Sequence, residues 1–163
     1  MKNTFLVLIF SFFFFGCTNN INDSYKLYSF SENSKITLDD NEPNPFTKIE
    51  SGENLVFKYY FQKEDNENIS DDEYSESIIF EIDADLDHFS YTDEELSSIN
   101  AYFNKSCFCP IDGSISIVKG TIQGTKIDNL TWEIKINITF TDSNKKITKV
   151  INASFLNTIR HRI

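Results

Sequence analysis

Between Leu130 and Thr141 the chain alternates without a break. Leu130, Trp132, Ile134, Ile136, Ile138 and Phe140 are apolar, while Thr131, Glu133, Lys135, Asn137, Thr139 and Thr141 are polar. Successive side chains of an extended strand point to opposite faces, so this run describes a strand with one dry face and one wet face. A helix would need apolar positions at a wider spacing, and the run excludes one. The neighbours such a strand requires are also present. After the polar turn Asp142-Ser143-Asn144-Lys145, residues Ile147, Ile151, Ala153 and Phe155 continue the dry face. Upstream, Ile115 and Ile117 alternate with serines, and Gly120 marks a bulge. The C-terminal half therefore reads as an antiparallel meander with one solvated side.

The same period appears earlier. Leu55, Phe57, Tyr59 and Phe61 alternate with Val56, Lys58 and Tyr60, and Ile78, Phe80 and Ile82 flank Ile79 and Glu81. Gln62 to Glu76 reads as an acidic loop too long for a tight hairpin. One helix is predicted to begin at Thr92-Asp93-Glu94-Glu95, where Thr92 is the cap, Glu95 completes a capping box and Tyr91 staples onto Leu96. Leu96, Ile99, Tyr102 and Phe103 would share its buried face, with Lys105 near its C-terminal end. Cys107-Phe108-Cys109-Pro110 and Gly113 would end it. The fold class predicted is mainly β: one domain over residues 54–163, an antiparallel sandwich or partial barrel with one short helix.

The N-terminus carries an address. Lys2 precedes Phe5 to Phe15, a run in which Ser11 alone is polar. A bilayer-spanning helix needs about 20 apolar residues, so this shorter run fits the apolar region of a signal peptide spanning residues 1–16. Phe14-Phe15-Gly16-Cys17 resembles a bacterial lipobox, in which a small residue precedes a cysteine that is acylated and becomes the new N-terminus. Phe14 and Phe15 depart from the usual leucine and small residue of that motif. The alternative is an ordinary secretory signal with a coincidental cysteine. Thr18 is not the aspartate that the familiar sorting rule associates with inner-membrane retention, which favours the outer membrane. Residues 17–53, rich in Asn and Ser and carrying Pro43 and Pro45, read as a lipid-anchored polar tether. Tyr25 to Phe30 and Ile36 to Leu38 are possible edge strands within it.

Gly113-x-Ile115-x-Ile117, then Trp132-x-Ile134-x-Ile136-x-Ile138-x-Phe140 and the final strand through Phe155, resemble the C-terminal sheet of small uncharacterised β-rich lipoproteins of AT-rich Gram-negative bacteria. The likeness covers the leader and about the last fifty residues. It implies a lipocalin-like or sandwich fold and brings no agreed activity and no catalytic residues. Asn152 stands where those proteins often have Gly.

Two constellations are candidates for chemistry. With Cys17 acylated, Cys107 and Cys109 remain. In an oxidising compartment they would be a structural bridge or two thiols, a labile or intermolecular disulfide, or part of a metal site. Zinc would require supplementary ligands, for which His88 and His161 are the histidines available. Asp83, Asp85, Asp87 and Glu94 reproduce positions 1, 3, 5 and 12 of a calcium loop. Against calcium, His88 occupies the turn position that wants Gly, and Ser90 replaces the apolar residue at the eighth position. The plainer reading is a solvated acidic loop with Glu94 at the helix N-terminus.

Charge bounds the partners. The 163-residue chain has a formal net charge of −10, which disfavours nucleic acid and adhesion to anionic lipid through a basic patch. Gln62 to Glu95 holds fourteen of the twenty-five acids and one Lys, whereas Asp112 to Ile163 holds four acids and eight bases. No nucleophile–base–orienter set is legible. Sequons at Asn68, Asn129, Asn137 and Asn152 fit the Asn-rich composition. The expected function is a non-enzymatic envelope lipoprotein presenting a binding surface, tied to the membrane through its N-terminal lipid. The alternative is an acidic inhibitor or regulator that docks a cationic envelope enzyme through residues 62–95.

Overall fold

The computed structural model describes residues 24–39, 45–64, 68–109 and 113–158. The leader, Cys17 and His161 lie outside the described residues. Ten strands follow in chain order: β1 (Tyr25–Leu38), β2 (Thr47–Ser51), β3 (Asn54–Gln62), β4 (Tyr74–Asp83), β5 (His88–Thr92), β6 (Tyr102–Cys107), β7 (Ile115–Ser116), β8 (Gly120–Asp128), β9 (Thr131–Asp142) and β10 (Lys145–Asn157). They form one sheet in the order β5-β8-β9-β10-β1-β3-β4-β6-β7, with β2 paired to β1 outside that path. The fold is mainly β, as the alternation predicts, and the sheet curls into a half-barrel.

Two antiparallel meanders make up this sheet. They are joined by one parallel contact, Ser29↔Leu156 and Phe30↔Asn157, between the first strand and the last. The twist of each half brings their dry faces together. Trp132, Ile134, Ile136, Ile138 and Phe140 of β9 are all buried, as their parity requires. Opposite them lie Phe30, Phe57, Ile78, Phe80 and Phe103, at most 1% exposed. Phe57 is at the centre. Its ring lies 5.1 Å from Phe80, 5.5 Å from Phe30 and 5.5 Å edge-on from Trp132.

Three expectations are corrected. The helix is a single 3₁₀ segment, Asp93–Ile99. Its start is as read, with the Thr92 N–H donating to Glu95 Oε2 at 2.9 Å, and Leu96 and Ile99 are buried. It ends early because Asn100 adopts the left-handed conformation (φ 48°) and turns the chain. Tyr102 and Phe103 therefore belong to β6, where Phe103 pairs with Ile78 and Tyr102 with Ile79. Alternation in Tyr102–Cys107 favours a strand once the helix is interrupted.

The second correction concerns the segment read as a tether with edge strands. It supplies β1, a fourteen-residue strand lying inside the sheet between β3 and β10. The sheet therefore includes Tyr25–Leu38, upstream of residue 54. Polar residues Ser31–Ser34 hide this continuity because they form a bend, where Asn33 has φ 51° and the register with β3 shifts. The third is the acidic loop. β4 begins at Tyr74, so Glu76 is a strand residue, and the Lys63 N–H donates to the Tyr74 carbonyl at 2.8 Å to close the hairpin.

Past its bend, β1 leaves β3 and pairs with β2, folding a hairpin over the outer side of β3 and β4. Ile36, Val56 and Ile79 pack there in a small second core, with Tyr102 against it. Glu81, 8% exposed, fixes the arrangement. Its carboxylate accepts the Ile36 N–H at 2.6 Å and the Asn100 amide at 2.7 Å. Removing it leaves a buried N–H without an acceptor, a loss of about 1–3 kcal/mol. Glu81→Ala is accordingly expected to lower stability by about 2 kcal/mol and to speed amide exchange at Ile36. Unchanged protection at Ile36 would contradict this role.

Candidate functional site

The folded-over hairpin covers one half of the outer face of β3, β4 and β6 and leaves the other half open. A groove of about 490 Å³ results. Phe46, Thr47 and Ile49 form one wall, Lys58 and Tyr60 of β3 another, and Ser77, Ile79 and Asn104 line it from β4 and β6. Phe46 is 39% exposed and Ile49 43%. Lys58 Nζ stands 5.4 Å from the Tyr60 ring centroid, a cation–π contact that orients both side chains.

Polar groups make the wall rigid. Asn104 Oδ1 accepts hydrogen bonds from the Thr47 hydroxyl at 3.1 Å and from the Ser114 hydroxyl, while Asn104 Nδ2 donates to Ser77 Oγ at 3.4 Å. The Thr47 N–H donates to Ser114 Oγ at 2.8 Å. Apolar and aromatic surface beside fixed amide and hydroxyl groups is the usual make-up of a binding cleft, and this volume falls in the range of ligand sites.

The inner face carries a second polar cluster, of which Glu76 and Lys105 also border the groove. At one end of the half-barrel Lys105 Nζ meets Asp142 Oδ2 at 2.6 Å, with both side chains about one-tenth exposed (12% and 11%). Lys149 pairs with Glu76, whose side chain is 5% exposed and also accepts from the Tyr74 hydroxyl at 3.0 Å. These pairs join β6 to β9 and β4 to β10, strands that are not hydrogen-bonded neighbours. Ionic contacts thus tie the two meanders together where no backbone ladder does. Each carboxylate already has an ammonium, so the cluster reads as a clasp.

Two phenols report on this end. Burial first, then the Glu76 carboxylate and Tyr28, pushes Tyr59 up from its ordinary 10.0 to about 12. Burial, the Glu76 charge and the hydrogen bond to Glu76 raise Tyr74 as well. Raised phenol values mean stability that is complete below pH 10 and lost above it, because the unfolded chain releases protons that the folded state keeps. Stability is expected to fall through the window from pH 10 toward 12 by under ~1.4 kcal/mol per pH unit for each tyrosine, reduced further by solvent screening. Urea midpoints across that window, compared with a Tyr59→Phe/Tyr74→Phe protein, measure it. An identical slope in the double variant would contradict the assignment.

The residues singled out from sequence fare differently. Asp83, Asp85, Asp87 and Glu94 do not converge, and among the described residues no group of three or more His, Cys, Asp or Glu is placed to hold a metal. The reason is β5. His88–Thr92 is extended and carries the chain roughly 3.3 Å per residue away from the turn before Glu94 is reached. Asp83 Oδ1 instead accepts the Asp85 N–H at 2.9 Å, and Asp87 faces Lys126 Nζ at 3.8 Å. Cys107 and Cys109 are joined to each other, with Cα atoms 5.2 Å apart.

The acidic stretch 62–95 is not one surface. Glu76 and Glu81 are buried. Residues 68–73 and the 84–87 turn lie at opposite ends of β4, a ten-residue strand, so roughly 30 Å separates them. The fold and groove together define a curled, mostly antiparallel half-barrel with an external cleft. No protein-family model matches the chain, and no curated protein or solved structure matches it either.

Proposed function

We propose that this protein is a non-enzymatic lipoprotein of the cell envelope that presents a binding surface, and that the surface is the outer groove beneath β2. The observation that carries the reading is the groove itself. Half-exposed Phe46 and Ile49 face Lys58, Tyr60 and a pre-ordered Asn104–Thr47–Ser114 network on a rigid sheet. A pre-ordered site of this kind limits the entropy lost on binding. The inner-face charges are mutually compensated, which also fits binding better than turnover.

Residues 1–17 support the membrane address. Diacylation of Cys17 with a further N-acyl group supplies more than one chain, the condition for stable anchoring. The N-terminal peptide of the native protein is expected to begin at acylated Cys17, and Cys17→Ser is expected to release the protein from the membrane. Mass spectrometry and fractionation check this, and an unmodified peptide on a membrane-bound variant would contradict it.

Affinity capture from detergent-solubilised envelope extract, at low and high salt, tests the groove. Wild-type and Tyr60→Ala proteins are compared for the same bound species. The reading expects Tyr60→Ala to lose that species and salt to matter little. If the variant retains it and high salt releases it, the groove is not the site. That second result would favour the acidic regulator instead.

A further inference from the structure

We propose that the Cys107–Cys109 disulfide is a thiol–disulfide exchange site, which oxidises a dithiol in a peptide or protein segment stoichiometrically. The placement of the bridge carries the idea. A disulfide stabilises a fold mainly by closing a long loop in the unfolded chain, and this one spans a sequence separation of 2. One end of it is already held by the sheet. Cys107 is the last paired residue of β6, opposite Tyr74, and is held by the β4 ladder. Cys109 lies two residues beyond the strand and is exposed.

Phe108 stands between the two cysteines and is 80% exposed, the most exposed large hydrophobic side chain among the described residues. An apolar ring left in water beside an accessible sulfur offers a contact to an approaching segment. Accessible bridges are the reducible ones, and attack follows access to the sulfur. This site lies outside the groove and does not depend on the groove reading.

The exchange balances without another group. A substrate thiolate attacks Cys109 Sγ, the Cys107–Cys109 bond breaks, and its electron pair leaves on Cys107 Sγ, which takes up a proton. The second substrate thiolate then attacks the substrate sulfur of the mixed disulfide, and Cys109 Sγ leaves and is protonated. The substrate dithiol becomes a disulfide, and Cys107 and Cys109 become thiols. A low-molecular-weight or protein disulfide restores the bridge by the reverse steps.

The test is equilibration of the mature protein in glutathione buffers, with alkylation and mass spectrometry counting free thiols. Exchange predicts a bridge reduced with an equilibrium constant at least ~100-fold more favourable than that of a structural disulfide. It also predicts that reduction lowers Tm by no more than about 5 °C, since so small a ring adds little to the fold. Cys107→Ser, which leaves Cys109 without its resolving partner, should accumulate the glutathione adduct faster than Cys109→Ser. A bridge that resists glutathione as structural disulfides do, or a protein that unfolds on reduction, would overturn the proposal. Equal adduct rates in the two variants would overturn the assignment of Cys109 as the attacked sulfur.

Discussion

Replacing Phe57 by alanine is expected to remove about 3–5 kcal/mol of folding free energy, the cost typical of a fully buried aromatic. Phe57 is 0% exposed and contacts rings from five strands, namely Phe30, Phe80, Phe89, Trp132 and Phe155. Those neighbours belong to both meanders, so collapse around the cavity would require the two halves to move together. Partial relaxation places the loss in the upper part of the range. Phe108→Ala removes an equal ring that is 80% exposed and serves as the control. Urea unfolding of the two variants measures the difference. A Phe57→Ala loss below ~1 kcal/mol, as for an ordinary surface change, would mean that the meanders do not share this core.

The ionic clasp gives the second large effect. Lys149→Met leaves the Glu76 carboxylate, 5% exposed, with the Tyr74 hydroxyl but without its ammonium. Breaking a buried pair on one side costs about 3–5 kcal/mol, because the remaining charge is uncompensated. Lys149 is itself 28% exposed, so the lower end, about 3 kcal/mol, is expected. Pairing Lys149→Met with Glu76→Gln should recover most of that loss, since the stranded charge is gone. A double variant as unstable as the single one would show that Lys149 acts through packing and not through charge.

Much of this was open to a reader of the sequence, and the parts that were not have physical reasons. The β9 alternation determines its buried face because a strand's period is two and nothing else competes for it. The clasp was legible in principle. Glu76, Lys105, Asp142 and Lys149 each occupy the apolar parity of their strands, continuing Ile78, Phe103, Phe140 and Ile151. A charge at an inward position needs a partner, but alternation alone does not say which inward charges meet.

β1 was obscured by its own bend, because the polar residues that permit the swing over β3 look like loop composition. The 3₁₀ segment is shorter than the helix its sequence suggests, since Tyr102 and Phe103 satisfy both a helical face and a strand parity. Only the left-handed Asn100 decides between them. The groove depended on that swing, so its residues could not be grouped in advance. Tyr60, an aromatic on a wet face, was the one local sign.

The central claim, that the groove beneath β2 is the binding surface, is tested most directly by amide chemical-shift mapping. Isotope-labelled mature protein is titrated with the species captured from envelope extract. Shifts are expected at Thr47, Ile49, Lys58, Tyr60, Ser77 and Asn104, with residues 68–73 and the 84–87 turn unmoved. Shifts confined to those two acidic segments, with the groove silent, would contradict the account.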